Sequence, residues 1–161
     1  LIYISYSHLI GKKSFTRVAR AELANNSLKN LQVIYKADEK HYTKRAIHFG
    51  SRIIFDNKYM YFSIGDSYER KEAQDINTPN GKIHRTFHDG TIPNDNPFKD
   101  DNGNKSSIWC YGNRNPASVM GTEGIGSRSS GGLADCSTAC RTSLSNKVKS
   151  DPLRTSSRLS S

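Results

Sequence analysis

The sequence has few cysteines, and those present form no metal or redox pattern. Among 161 residues there are three, Cys110, Cys136 and Cys140. Three residues separate Cys136 from Cys140, whereas zinc knuckles and thioredoxin-like pairs typically have two. No histidine follows His88. The sequence therefore predicts no zinc site, and the odd cysteine count carries no signal about the redox compartment.

Long apolar runs are also missing. Only 34% of the residues are hydrophobic, and the mean hydropathy is −0.71. No stretch reaches the roughly 18 apolar residues of a membrane-spanning helix, so we predict no membrane span. No signal peptide is visible. Because the chain opens at Leu1 inside the apolar run LIYISY, we interpret its N-terminal part as missing, and the absent signal peptide says nothing about compartment.

Positive charge is abundant but is not clustered. The net charge is +9 and the pI is about 9.6. Basic runs such as Lys12-Lys13 and Lys44-Arg45 are only two residues long, and acidic residues are mixed among the others. No helix-turn-helix pattern or aromatic RNA-binding signature accompanies them. This distribution indicates a solvated basic surface and predicts no nucleic-acid partner.

Short apolar runs bounded by turn residues predict an all-β fold. Asn25-Asn26, Asp56-Asn57-Lys58 and Asp89-Gly90 supply turn signals, and only residues 20–30 leave room for some helix. A two-residue period alone does not distinguish a sandwich, a barrel and a propeller. The predicted strands are residues 1–6, 16–23, 31–35, 52–55, 59–64, 81–87 and 107–111.

Two polar residues flank one predicted hairpin. His48 precedes its first strand, and Asp66 follows its second strand through Gly65. Because the start of one antiparallel strand and the end of the next lie at the same edge, we expect His48 and Asp66 to be neighbours. A carboxylate fixes the imidazole tautomer and raises its basicity, which suits proton abstraction. The alternative is that His48 caps a turn while Asp66 bonds its own loop.

A second polar pair, Arg114 and Asn115, follows the last predicted strand. A guanidinium and an amide at a strand end can hold an anionic or carbonyl-bearing ligand. The alternative is a structural turn with Pro116 at its corner.

Seven motifs, in order and spacing, resemble the soluble aldose sugar dehydrogenases that use pyrroloquinoline quinone, the glucose/sorbosone dehydrogenase family. The resemblance covers residues 1–116 and is strong from 48 to 116. The motifs are His48-Phe49-Gly50-Ser51-Arg52, Ile64-Gly65-Asp66, Ala73-Gln74-Asp75, Gly81-Lys82-Ile83, Asp89-Gly90-Thr91-Ile92-Pro93, Asp95-Asn96-Pro97-Phe98 and Tyr111-Gly112-Asn113-Arg114-Asn115-Pro116.

The resemblance implies part of a six-bladed β-propeller, about two blades of antiparallel strands. It implies that His48 is the general base for the sugar C1 hydroxyl, that Asp66 orients it, and that Arg114 and Asn115 contact the quinone. Pyrroloquinoline quinone takes the hydride and lies over a calcium ion, whose ligands we expect outside residues 1–116. An aldose substrate, an external electron acceptor and a periplasmic or secreted location are implied as well.

The sequence departs from the family in two places. Ser67-Tyr68 stands where the family usually has Arg-Gly. After Pro116 the expected calcium-binding and quinone-carboxylate-binding segments do not appear, and Ser, Gly and Arg become abundant. We therefore expect a partial propeller at 1–116 and an irregular, largely disordered tail at 117–161. Out-of-frame translation of the tail is a hypothesis that the coding DNA in the other two frames would test.

A partial propeller leaves strand edges and apolar faces uncovered. We expect this chain, expressed alone, to be poorly soluble and to lack dehydrogenase activity. The alternative function is a non-enzymatic β-propeller binding module, since a fold does not by itself give a function. The set of His48, Asp66, Arg114 and Asn115 favours the enzyme, because a binding scaffold does not need all four at one edge.

Overall fold

The structure is a computed structural model and describes residues 1–116, so the predictions for 117–161 lie outside the described residues. The all-β prediction is confirmed: two antiparallel sheets and two single-turn 3-10 helices, Glu39–His41 and Glu72–Gln74, make up the regular structure of these residues. The strands are β1 Ile2–Ile10, β2 Lys13–Ala24, β3 Ser27–Tyr35, β4 Ile53–Phe55, β5 Tyr59–Ile64, β6 Lys82–Phe87 and β7 Ile108–Cys110.

The first sheet has the order β1-β2-β3 and two tight hairpins. Asn25 and Asn26 connect β2 to β3 with φ values of 51° and 57°. Two consecutive left-handed residues match the twist of a hairpin, and asparagine tolerates that conformation better than most residues. The expectation of some helix within 20–30 is therefore wrong, because this turn reverses the chain from strand to strand.

Strands of the first sheet are longer than predicted. β3 begins at Ser27, whereas the apolar run predicted a strand only from residue 31. The added residues are exposed and, apart from Leu28, polar, and they are strand because they pair with β2. Pairing of this kind carries no local apolar signal, which explains why the sequence did not reveal it.

The second sheet has the order β4-β5-β6-β7, so neighbours in space are neighbours in sequence. Its bounds agree with the prediction to within one residue at each end. The connection from β4 to β5 is stabilised by Asp56, whose Oδ1 accepts hydrogen bonds from the backbone of Lys58 and Tyr59. The two-residue period and the turn signals were sufficient to locate these strands.

The core lies between the two sheets and continues on the far face of the second sheet. Strand β5 is buried on both faces, since its even-numbered and odd-numbered residues face different clusters. The cluster between the sheets comprises Phe15, Val18, Tyr42, Met60, Phe62 and Ile64. The far cluster comprises Tyr61, Ile83, Phe98, Ile108 and Cys110.

A buried arginine fastens the loop that covers the far cluster. Arg85 Nε donates to Asn96 Oδ1 at 2.7 Å, and Nη2 donates to Asp95 Oδ1 at 2.7 Å. Asn96 Nδ2 returns hydrogen bonds to the carbonyls of Arg85 and Ser106. The Asp-Asn-Pro-Phe motif therefore closes this loop and places Phe98 in the core. Within residues 1–116, no helix is long and apolar enough to cross a membrane.

Candidate functional site

The site lies at the edge of the second sheet where β5 ends and where the chain approaches β4. Backbone hydrogen bonds from Ser51 to Ser63 and from Ser63 to Arg52 extend this edge beyond the regular strands, both at 2.9 Å. The two segments then approach closely at Gly65. A Cβ atom at this position would lie 1.8 Å from the carbonyl oxygen of His48. Only glycine allows the two segments to meet.

His48 and Asp66 are paired at this edge. Nδ1 of His48 lies 2.7 Å from Oδ1 of Asp66, so the predicted adjacency is confirmed. The Asp66 side chain is 2% exposed and that of His48 is 19% exposed. A deprotonated carboxylate only accepts hydrogen bonds, which assigns the imidazole proton to Nδ1 and leaves Nε2 with a lone pair. Among residues 1–116, no group is bonded to Nε2.

The second predicted pair reaches the same edge. The backbone N–H of Asp66 donates to the carbonyl of Arg114 at 2.7 Å. Asn115 Oδ1 accepts a hydrogen bond from the backbone of Gly50 at 3.0 Å. Both residues are exposed, and the Arg114 guanidinium has no carboxylate within ion-pair distance in the described part of the chain. All four predicted residues thus meet here, while their catalytic and cofactor-binding roles stay predictions.

Backbone strain is concentrated at this edge. Four residues other than glycine have left-handed φ values: 55° at His48, 69° at Ser51, 48° at Ser67 and 68° at Tyr68. Each such residue costs about 1 to 2 kcal/mol, which the surrounding structure must offset. Strain of this kind is common at catalytic and ligand-binding sites.

A buried lysine supports the site from behind. Lys82 is fully buried, and its Nζ donates to the carbonyls of Glu72, Ala73 and Asn80 at 2.8, 3.1 and 2.5 Å. Burial lowers the pKa of Lys82 to about 8. The loop from Asp66 to Gly81 is therefore fixed by one side chain. Sequence reasoning found the Gly-Lys-Ile motif but not this role, because the three carbonyls that Lys82 contacts belong to the loop before the strand.

The same loop is joined to both ends of the site by its backbone. Gly81 N donates to the carbonyl of Gly65 at 3.0 Å, and Asn113 N donates to that of Gly81 at 3.0 Å. Gly112 N donates to the carbonyl of Ala73 at 2.7 Å. The end of β5 and the segment that carries Arg114 are consequently held by a common loop.

A second histidine on this sheet, His84, is part of the core. It is buried and stacks on Phe62 with ring centroids 4.9 Å apart. Burial lowers the pKa of His84 to about 3, so its imidazole is neutral at physiological pH. Its Nδ1 is hydrogen-bonded with Ser107 Oγ. His84 has no exposed nitrogen to present to a substrate, in contrast to His48.

Sequence reasoning also missed an aromatic residue at the site. The ring centroid of Tyr68 lies 5.8 Å from that of His48. The Tyr68 backbone N–H donates to Asp66 Oδ1 at 2.8 Å, so one carboxylate oxygen holds both residues. The guanidinium groups of Arg45 and Arg70 lie 5.3 and 5.7 Å from the centre of the Tyr68 ring. The sequence signal for this residue was that Ser67-Tyr68 stands where the family usually has Arg-Gly.

The residue types at this edge suit an anionic, carbonyl-bearing ligand. The backbone of Arg114 and the amide of Asn115 are held at the edge that carries the His48 imidazole, and both residues are exposed. Within residues 1–116, no three His, Cys, Asp or Glu side chains converge to hold a metal ion.

Comparison with known proteins identifies relatives of this chain. The sequence model of the Glucose / Sorbosone dehydrogenase family matches residues 1–127, so the likeness continues beyond Pro116. Aldose sugar dehydrogenase YliI of Escherichia coli is 35% identical over 119 residues, covering 71% of this chain and 32% of the relative. The chain thus spans about a third of the length of that relative.

Solved structures agree with the sequence match. The apo-form of the soluble aldose sugar dehydrogenase from Escherichia coli superposes with a TM-score of 0.63 at 32% identity, covering 70% of this chain and 33% of that one. The PQQ-bound aldose sugar dehydrogenase from Streptomyces coelicolor gives 0.51 at 25% identity, covering 70% and 32%. The predicted partial β-propeller is confirmed by these matches. The chain belongs to the glucose/sorbosone dehydrogenase family.

Proposed function

We propose that this chain carries the proton-abstracting part of an aldose sugar dehydrogenase that depends on pyrroloquinoline quinone. The observation that carries the proposal is the 2.7 Å contact between His48 Nδ1 and the buried carboxylate of Asp66. This pair lies at an edge that also bears the exposed residues Arg114 and Asn115. Family membership and a relative with bound PQQ support the same reading.

In this proposal, Nε2 of His48 takes the proton from the C1 hydroxyl of the sugar. Asp66 holds the proton on Nδ1 and stabilises the imidazolium that forms, as a carboxylate does beside a general base. The quinone, when bound, supplies the hydride acceptor. Arg114 and Asn115 would contact its carbonyl oxygens, where a guanidinium favours developing negative charge. An external acceptor would take up the electrons from the reduced cofactor. We also propose a periplasmic or secreted location, as the family resemblance implies.

The remaining part of the reaction requires more than residues 1–116. The chain spans about a third of the length of its relatives, and among the described residues no three His, Cys, Asp or Glu side chains converge on a metal site. We propose that calcium binding and the grip on the quinone carboxylates belong to the rest of the propeller. Accordingly, we expect the 161-residue chain alone to show no dye-linked sugar oxidation with quinone and calcium added.

The proposal is tested by grafting residues 1–116 in place of the matching segment of the Escherichia coli aldose sugar dehydrogenase. We expect this chimera to oxidise aldoses, and His48→Gln to reduce kcat by about 10² to 10⁴, the usual contribution of a general base. His8→Gln is the matched control, because His8 lies on β1 and is hydrogen-bonded with Tyr42. An active His48→Gln chimera, or an equal loss in the control, would contradict the assignment.

Cofactor contact is tested separately by equilibrium titration of the same chimera with the quinone. Arg114→Gln is expected to weaken quinone binding by roughly tenfold, since a hydrogen bond to a charged group contributes about 1.5 to 3 kcal/mol. His48→Gln is expected to leave quinone affinity largely unchanged. The opposite pattern would assign the cofactor contact to the histidine instead.

A further inference from the structure

Tyr68 occupies a position that disfavours a large side chain. Its φ of 68° belongs to the left-handed region, and its side chain is 44% exposed. A bulky residue in this conformation is uncommon and must be held by its surroundings. The backbone N–H of Tyr68 is held by Asp66 Oδ1, the atom that also holds His48 Nδ1. The ring is therefore kept beside the imidazole by the same carboxylate.

An uncompensated positive charge lies next to this ring. Arg45 and Arg70 both approach the Tyr68 ring, at 5.3 and 5.7 Å from its centre. Arg45 is paired with Glu69 at 3.5 Å. Arg70 is exposed and has no carboxylate within ion-pair distance among residues 1–116. The site thus presents, beside the proposed base, an exposed aromatic residue and a guanidinium that has no carboxylate partner among residues 1–116.

We propose that Tyr68 and Arg70 select aldoses that carry a negatively charged group remote from C1. This inference rests on the proposed function of His48. The exposed ring of Tyr68 packs against the apolar face of the sugar, and Arg70 binds its carboxylate or phosphate. The imidazole and the guanidinium lie 5.8 and 5.7 Å from the Tyr68 ring centre. Both groups therefore lie beside the same aromatic ring.

The test measures sugar binding rather than oxidation, using the 161-residue chain without quinone. Ligand-observed saturation-transfer NMR needs little protein, so low solubility does not prevent it. The ligands are D-glucose, D-glucuronate and D-glucose 6-phosphate, with acetate and inorganic phosphate as anions that lack a sugar. At low salt we expect both charged sugars to bind roughly tenfold more tightly than glucose. Their relative affinities distinguish a carboxylate from a phosphate preference.

Two variants separate the roles of the side chains. Arg70→Gln is expected to reduce the affinity for the charged sugars to that for glucose, while the affinity for glucose stays unchanged. Tyr68→Gly, in which glycine suits the left-handed backbone, is expected to weaken the binding of all three sugars by a similar factor. Lys29→Gln is the matched control, because Lys29 is an exposed cation on β3. It is expected to leave the discrimination intact.

The outcomes separate this inference from the proposed function. Equal affinity for glucose and the charged sugars, or no saturation transfer to any sugar, would overturn the role of Arg70 and Tyr68. Binding of acetate or phosphate as tight as that of the charged sugars would overturn recognition of a sugar. If Arg70→Gln weakens quinone binding by the chimera and leaves sugar discrimination unchanged, Arg70 serves the cofactor. Retained discrimination with an inactive chimera would refute only the proposed function.

Discussion

The three-stranded sheet β1–β3 and the four-stranded sheet β4–β7 differ in regularity. The first has long strands, two tight hairpins, and left-handed non-glycine residues only at Asn25, Asn26 and Asn30. The second has short strands, and left-handed conformations at its edge include His48 and Tyr68. Asparagine in a turn costs little, whereas strain in a larger residue needs support. We interpret the first sheet as scaffold and the edge of the second sheet as the candidate site.

Alanine substitutions of one glycine in each sheet should give the largest contrast. Gly65→Ala places Cβ 1.8 Å from the His48 carbonyl oxygen, so we expect a loss of about 3 kcal/mol or more. Gly11, with φ of 58°, has nothing within 4 Å of its Cβ position, so Gly11→Ala should cost only about 1 kcal/mol. Urea unfolding of both variants measures the difference. Similar losses of stability in the two variants would show that the close approach of Gly65 to His48 does not exclude a side chain at residue 65.

Replacement of the buried lysine should give an intermediate effect. Lys82→Met leaves three buried carbonyls without their donor and is expected to cost about 2 kcal/mol at pH 7. Lys29→Met, at an exposed position on β3, should be nearly neutral. Chemical denaturation of the two variants makes the comparison. A neutral Lys82→Met would show that the loop from Asp66 to Gly81 does not depend on this side chain.

The pH dependence of stability gives a second readout for Lys82. Its pKa is about 8 in the folded chain and 10.5 ordinarily, so the unfolded chain binds more protons between these values. The free energy of unfolding should therefore rise from pH 8 to 10.5. Burial of the charged ammonium group destabilises the folded chain, and this destabilisation is fully present below pH 8. Lys82→Met should abolish this rise, and Lys29→Met should retain it. Identical slopes in the two variants would contradict the burial of the ammonium group.

The smallest effect is expected in the scaffold turn. Asn26 has φ of 57°, a conformation that glycine adopts freely. Asn26→Gly creates an Asn-Gly turn of the preferred type and should change stability by only about 0.5 kcal/mol, in the stabilising direction. Thermal unfolding of the variant measures this. A large destabilisation would mean that the β2–β3 turn, like the site edge, depends on side-chain contacts.

Those parts of the structure with a local signal were predictable from the sequence. β5 was placed at its observed bounds, and the His48–Asp66 contact followed from the rule that antiparallel strands share an edge. The roles of Lys82 and Tyr68 were not predictable, because each depends on how a loop folds back against the strands. The polar start of β3 was missed for a related reason, since its pairing with β2 is non-local.

The protonation of His48 is the most direct test of the account, and long-range ¹H–¹⁵N NMR of the imidazole ring in the chimera of residues 1–116 with the Escherichia coli enzyme measures it. We predict that neutral His48 carries its proton on Nδ1, because the carboxylate of Asp66 accepts that bond at 2.7 Å. Asp66→Asn should shift the population towards the other tautomer. A neutral imidazole protonated on Nε2 in the unmodified chimera would contradict the account, since that nitrogen could not accept the proton of the sugar hydroxyl.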